Sequence, residues 1–463
     1  MTVDRRRDEL NAIAWNASAP ADVLLRLLHQ EAIEAWHAFS VRGLPDEMVD
    51  VVAAHPDPRV RAILAESFSA SGEQRGRLAD DPDRRVRLML ALAPKPFRGT
   101  IPPLPLLAQR RLLDDPDPHV RSAAADCDDF DPRLIAGLAG HAEASLRKAS
   151  CRHWSLLSEG DRDRLLHDPD DGVRLRARRM ACRDDARWTG VLLESGLDAS
   201  PRQDVIQYGA MTTALAEQIA AGDDAWERRV LALNTRAPLD VVRKLADDPE
   251  HSVRLAVSVR PEFSEAERAA IDFTVGPSDR LPPVDWVRTC EDADVLRDCA
   301  RSSHTWLRRS AAFAEHLPAD AVELLSHDDD HAVRLLLCER QPTVDGEVVL
   351  QTYLECQVIT KSLLLAHPNF PVAGLADRFA DDPDPMKRAV AAQDPGIAVD
   401  VLARLLADDD SYVSSAAAVH PALPLDLLLG ACDNRDTATS ALRNPGLPPE
   451  IMHERLDALG VPR

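Results

Sequence analysis

A single phrase returns along this chain: a short acidic turn, often containing Pro, then Val-Arg, then an Ala-rich apolar run, then often a second Pro. Plain copies are His55-Pro-Asp-Pro-Arg-Val-Arg61, Asp81-Pro-Asp-Arg-Arg-Val-Arg87, Asp115-Pro-Asp-Pro-His-Val-Arg121, Asp248-Pro-Glu-His-Ser-Val-Arg254 and Asp328-Asp-Asp-His-Ala-Val-Arg334. With the basic residue as register mark, and weaker copies added, the marks fall at Arg61, Arg87, Arg121, Arg147, Arg174, Arg228, Arg254, Arg308, Arg334, Lys361, Arg388 and Ser414. Their steps are 26, 34, 26, 27, 54, 26, 54, 26, 27, 27 and 26 residues. The unit is therefore 26–27 residues, each 54 is two units, and the 34 is one unit with about eight extra residues. A chain of such units grows by stacking and needs no new core for each added length.

Each unit reads as two short helices. Asp in the turn supplies an N-cap, and in Asp57-Pro58, Asp117-Pro118 and Asp384-Pro385 the next residue is a Pro suited to the first helical position. The apolar run after the mark is closed by Pro seven residues on, at Pro94, Pro261, Pro368, Pro395 and Pro421, so this helix has about two turns. A Leu-rich segment with apolar spacings of 3 and 4 follows, as in Pro238-Leu-Asp-Val-Val-Arg-Lys-Leu245. No segment shows the alternation of a half-buried strand. The expected fold is all-α: one α-solenoid of about 15 units over 1–463, with atypical first and last units. The two-unit gaps near 201 and 281 are candidate hinges separating arcs 1–185, 186–300 and 301–463.

Composition limits what such a stack can do. The balance of 45% hydrophobic and 29% charged residues supports a large core, and the formal charge of −22 disfavours a general nucleic-acid binder. Eight cysteines without a C-x-x-C pair form neither a disulfide framework nor a zinc ribbon, which fits a reducing, cytoplasmic setting. No stretch approaches the roughly 20 apolar residues of a membrane span.

The phrase N/H-P-x-x-P-x-x-L-L-x-x-L-A-x-D-P-D-x-x-V-R-x-A-V-A resembles the leucine-rich repeat variant, a bacterial, all-helical relative of HEAT-type repeats. His367-Pro-Asn-Phe-Pro371 through Asp381-Asp-Pro-Asp-Pro-Met-Lys-Arg-Ala-Val-Ala391, and His420-Pro-Ala-Leu-Pro-Leu-Asp-Leu-Leu428, carry the resemblance, while 185–225 and 262–300 depart from it. It implies a right-handed superhelix of alternating α and short 3₁₀-type helices. The family is also associated with an iron–sulfur cluster held by cysteines near the N-terminus. Here the first cysteine is Cys127, so no cofactor is carried over.

The periodic Arg61, Arg87, Arg121, Arg174, Arg254, Arg334 and Arg388 read as a structural Arg–Asp ladder between units rather than a phosphate-binding stripe. The acidic turns lack the order and Gly of a calcium loop. His55, His367 and His420 share their slot with other residue types, and no H-E-x-x-H pair occurs, so no metal site is expected. Cys151 and Cys338 take an Ala position and read as core. No nucleophile–base pair emerges, so no catalytic residue is assigned. The sharpest remaining feature is an Arg/Trp set suited to stacking or to capture of an anionic peptide: Arg152, Trp154, Arg176, Arg179, Arg183, Trp188, Trp226 and Trp306. Two departures, Pro94–Pro105 and Ile271–Pro283, are insertions of the kind that carry contacts or are merely tolerated.

The expected function is a non-catalytic scaffold that binds a protein or peptide on a concave face. The alternative is a nucleic-acid-acting enzyme of the helical-repeat DNA glycosylase type with a Trp/Arg-lined cleft. A contiguous Arg-lined channel favours the enzyme; a groove of mixed charge favours the scaffold.

Overall fold

The computed structural model describes residues 3–95, 101–356 and 359–463. Among these residues there are 33 α-helices and six 3₁₀ helices, and no strand. Residues 96–100, in the first insertion, lie outside the described residues.

The helices begin where the acidic turns place them. Asp57, Asp83, Asp117, Asp384 and Asp410 each accept a hydrogen bond from the backbone N–H two residues on, at 2.7–2.9 Å. The carboxylate thereby satisfies a first-turn donor that the helix leaves unpaired. Pro58, Pro118 and Pro385 open their helices. The helices that follow, Pro58–Ala65, Arg84–Leu92, Pro118–Asp126, His251–Ser258 and Ser411–Ala418, have eight or nine residues, about two turns. Each buries the Val before the mark: Val60, Val86, Val120, Val253 and Val413 are at most 1% exposed. Each such side chain contributes roughly 1.5–3 kcal/mol by leaving water.

The chain forms two compact units, one of residues 1–173 with 372–463 and one of 174–371. These boundaries differ from those of the three arcs expected from the sequence, and the hinges near 201 and 281 remain an expectation.

In the first unit, one apolar core runs from Leu10 through Ala149 and from Ala380 through Val461. It joins the two ends of the chain. The slot six residues after the mark sends a side chain to the preceding repeat's carbonyls: His420 Nε2–H donates to Asp394 O at 3.1 Å, and Asn444 Nδ2 donates to Ala418 O and His420 O at 2.8 Å each. Asn16 Nδ2 donates in turn to Leu442 O at 2.9 Å and Asn444 O at 2.8 Å. The first repeat thus takes the place of a repeat following the last. Arg26 reinforces the junction, donating to Asp457 Oδ1, Val461 O and Pro462 O at 2.5, 2.6 and 2.9 Å.

In the second unit the same slot is filled by Asn234, whose Nδ2 donates to Ile206 O and Gly209 O at 2.7 and 2.8 Å. The insertion Ile271–Pro283 is tied into this unit. Arg254 Nε donates to Asp272 O at 2.6 Å, Phe273 stacks on His304 at 4.3 Å, and Trp306 Nε1–H donates to Pro282 O at 2.7 Å.

Candidate functional site

Six of the periodic arginines share one geometry. Arg61 donates from Nε and Nη2 to both oxygens of Asp81, at 2.7 and 2.8 Å, and from Nη1 to its own turn at His55 O, at 2.7 Å. Arg228 with Asp248, Arg308 with Asp328 and Arg388 with Asp408 repeat the fork, each pair 20 residues apart. Arg87 makes it to Asp115 across the longer unit, and Arg147 makes it to Asp168. Arg121 and Arg334 reach Glu143 and Glu355 instead, and Arg254 reaches Asp272. Arg174 lies in the helix Asp171–Ala181. Burial alone raises the Asp81 carboxyl, but the Arg61 bonds and the Asp83 N–H outweigh it and hold the group below its ordinary value.

The Arg/Trp set is divided between the two units. In the first unit, Arg152 donates to the end of the helix Pro118–Asp126, at Asp126 O and Asp128 Oδ1, 2.7 Å each, and Trp154 is half-buried under Arg162, 5.8 Å from its ring centre. In the second unit, Arg179 pairs with Asp204 at 2.6 Å, and Arg176 is half-buried on the same helix. Trp188 packs on the small core of Cys182, Leu192 and Val205, with Arg178 and Arg187 over its ring at 5.2 and 4.7 Å. Trp306 is 2% exposed, so it is floor and not surface: the insertion brings Pro282 O onto its indole N–H. Trp226 and Arg183 are exposed.

Arg183 and Trp226 lead to a cleft of about 460 Å³ in the second unit. Arg183 stacks over Tyr208 at 5.7 Å, and Arg229 stacks over Trp226 at 4.6 Å. Tyr208, Arg229, Arg236, Asp285 and Trp286 line the cleft, with Pro282 and Pro283 of the insertion on its wall. Tyr208 O–H donates to Asp285 Oδ2 at 3.1 Å, and Arg236 donates from Nη1 to Tyr208 O at 3.1 Å. Tyr208, Arg229, Arg236 and Trp286 stand outside the set expected from the sequence. The available signal for Arg229 was its place directly after the mark Arg228.

A larger cleft of about 970 Å³ lies in the first unit, with Arg84, Arg85 and Lys95 set against Asp117, Asp128 and Asp129. Both clefts therefore mix charges. Among the described residues no group of three or more His, Cys, Asp or Glu side chains is placed to hold a metal ion. No helix of the described residues is long and apolar enough to cross a membrane. Compared with protein-family profiles and with curated proteins, the sequence gives no match.

Proposed function

We propose that the chain is a right-handed α-solenoid of about 15 helix-pair units of the leucine-rich repeat variant kind, acting as a non-catalytic cytoplasmic scaffold for a protein or peptide. The solenoid reading is supported by the recurrence of one bond set: mark Arg to an acid about 20 residues on, and the slot six after the mark to carbonyls of the repeat before. Units that address their successors identically extend a stack. The binding reading rests chiefly on the exposed Arg183–Tyr208 and Trp226–Arg229 stacks beside a cleft that also holds Asp285. Aromatic rings and guanidinium groups are the usual anchors of protein interfaces. Mixed charge in both clefts counts against the glycosylase-like alternative, which needs a cationic channel for phosphates.

The test is retention of material from the native host on the tagged protein, at near-physiological salt, with and without nuclease. One protein recovered in near-stoichiometric amount supports the scaffold; nucleic acid alone, lost on nuclease treatment, contradicts it.

A further inference from the structure

Two repeats of the second unit carry arginine at the same position, directly after the mark, and they differ in how their donors are used. Arg309 is 4% exposed and clamps Asp330 with Nε and Nη2 at 3.1 and 2.7 Å, while donating to Asp279 O and Gly276 O at 3.0 and 3.1 Å. The carboxylate comes from the next repeat and the carbonyls from the insertion. Arg229 stands 80 residues earlier in the same register. The residue matching Asp330 is Glu250, which is exposed, and no ion pair joins it to Arg229.

Among the described residues, the Arg229 side chain has neither a hydrogen bond nor an ion pair; its interaction is the stack on Trp226 at 4.6 Å. Stacking fixes the plane of a guanidinium and leaves its in-plane N–H donors directed outward. The side chain is half-buried, and burial lowers its pKa with no carboxylate opposing the effect. A cation partly withdrawn from water and without a protein acceptor gains from an incoming anion. Arg229 lines the 460 Å³ cleft, where Arg236, loosely paired with Asp184 at 3.8 Å, adds a second guanidinium and Leu233, Pro282, Pro283 and Trp286 supply apolar wall.

We propose that this cleft binds an acidic peptide segment, with Arg229 clamping one of its carboxylates as Arg309 clamps Asp330 and with a neighbouring apolar side chain of the segment against Trp286 and the insertion prolines. The inference rests on the scaffold reading and assigns it a partner chemistry. A peptide fits better than a nucleic-acid strand because Asp285 stands inside the cleft and would repel successive phosphates, whereas a peptide places its charges singly.

The probes are a fluorescein-labelled peptide alternating glutamate and leucine, its glutamine counterpart, and a single-stranded oligonucleotide of equal charge, titrated by anisotropy into the full chain. The acidic peptide is expected to bind, the glutamine peptide at least about tenfold more weakly, and Arg229→Ala to weaken the acidic peptide by about tenfold or more. Arg229→Lys should restore little, because a point charge does not reproduce the fork. Arg236→Ala serves as a second variant should Arg229→Ala fold poorly, and is expected to give a smaller loss of the same sign. No binding of the acidic peptide, equal binding by the Arg229→Ala protein, or preference for the oligonucleotide overturns the proposal. If the peptide fails while a stoichiometric protein is still retained from lysate, this inference falls and the scaffold reading stands; if retention fails too, both fall.

Discussion

Asn16 donates from Nδ2 to Asn444 O at 2.8 Å, the bond that Asn444 makes in turn to His420 O, so the two ends of the chain are stacked in the register of adjacent repeats. Asn16 is fully buried, and its Oδ1 accepts from Ser18 N–H at 2.9 Å, as Asn444 Oδ1 accepts from Gly446 N–H. Repeat stacks ordinarily need polar caps at their ends. In this unit each terminal repeat covers the other.

Replacing Asn16 by Ala strands the carbonyls of Leu442 and Asn444 in a buried junction, and is expected to cost about 1–3 kcal/mol. Hydrogen exchange should quicken in both 3–28 and 438–461. Unchanged protection in the C-terminal segment would show that the ends do not depend on one another.

The ladder gives a second expectation. Arg61 and Asp81 are both buried and joined by two bonds, so Arg61→Ala leaves a buried carboxylate unpaired and should destabilise by about 3 kcal/mol. Arg59, exposed beside Asp57, offers a contrast: Arg59→Ala should leave stability close to that of the parent. Equal effects in chemical denaturation would remove the ladder from the account.

Acid should weaken the stack for the same reason. Bonds from Arg388 hold the Asp408 carboxyl below its ordinary value, and those from Arg61 and Asp83 N–H do so for Asp81 against its burial. A carboxyl with a depressed folded pKa contributes stability that is fully present above the unfolded value of about 4 and is lost as pH falls through the folded one. Stability from this source should therefore be level between neutral pH and about 5 and decline below about 4, and Asp81→Asn should flatten that decline. An acid limb of unchanged steepness in the Asn variant would contradict it.

The thiols supply a prediction that needs no mutation. Burial pushes Cys182, Cys338 and Cys432 up to about 11 and Cys299 to about 12, and of the eight cysteines Cys290 alone is not buried. One thiol should react readily with a disulfide reagent in the native protein and seven only after unfolding. Several fast thiols would mean that the core is looser than described.

The turn and helix pattern was legible because its causes are local: Asp before Pro caps, Val before Arg buries, Pro ends the run. The ladder partner was half legible, since one acidic turn holds two aspartates with different tasks, Asp81 receiving Arg61 and Asp83 capping its own helix. The end-to-end junction was not, although Asn16-Ala-Ser-Ala-Pro20 and Asn444-Pro-Gly-Leu-Pro448 are plainly alike, because linear order suggests neighbours only in sequence. At the candidate site, Trp226 and Trp306 occur in near-identical phrases, yet one is 49% and the other 2% exposed. The difference comes from an insertion 24 residues before Trp306, whose Pro282 O meets the indole. Local sequence carries the phrase; tertiary packing decides its use.

The scaffold claim is tested most directly by measuring what the tagged protein retains from its host beside a variant in which the cationic side of the cleft is reversed, Arg183→Glu with Arg236→Glu. Both side chains are exposed, so thermal unfolding should shift little. The account predicts one protein in near-stoichiometric amount with the parent and its loss with the variant. Equal retention by both, or recovery of nucleic acid alone, would contradict it.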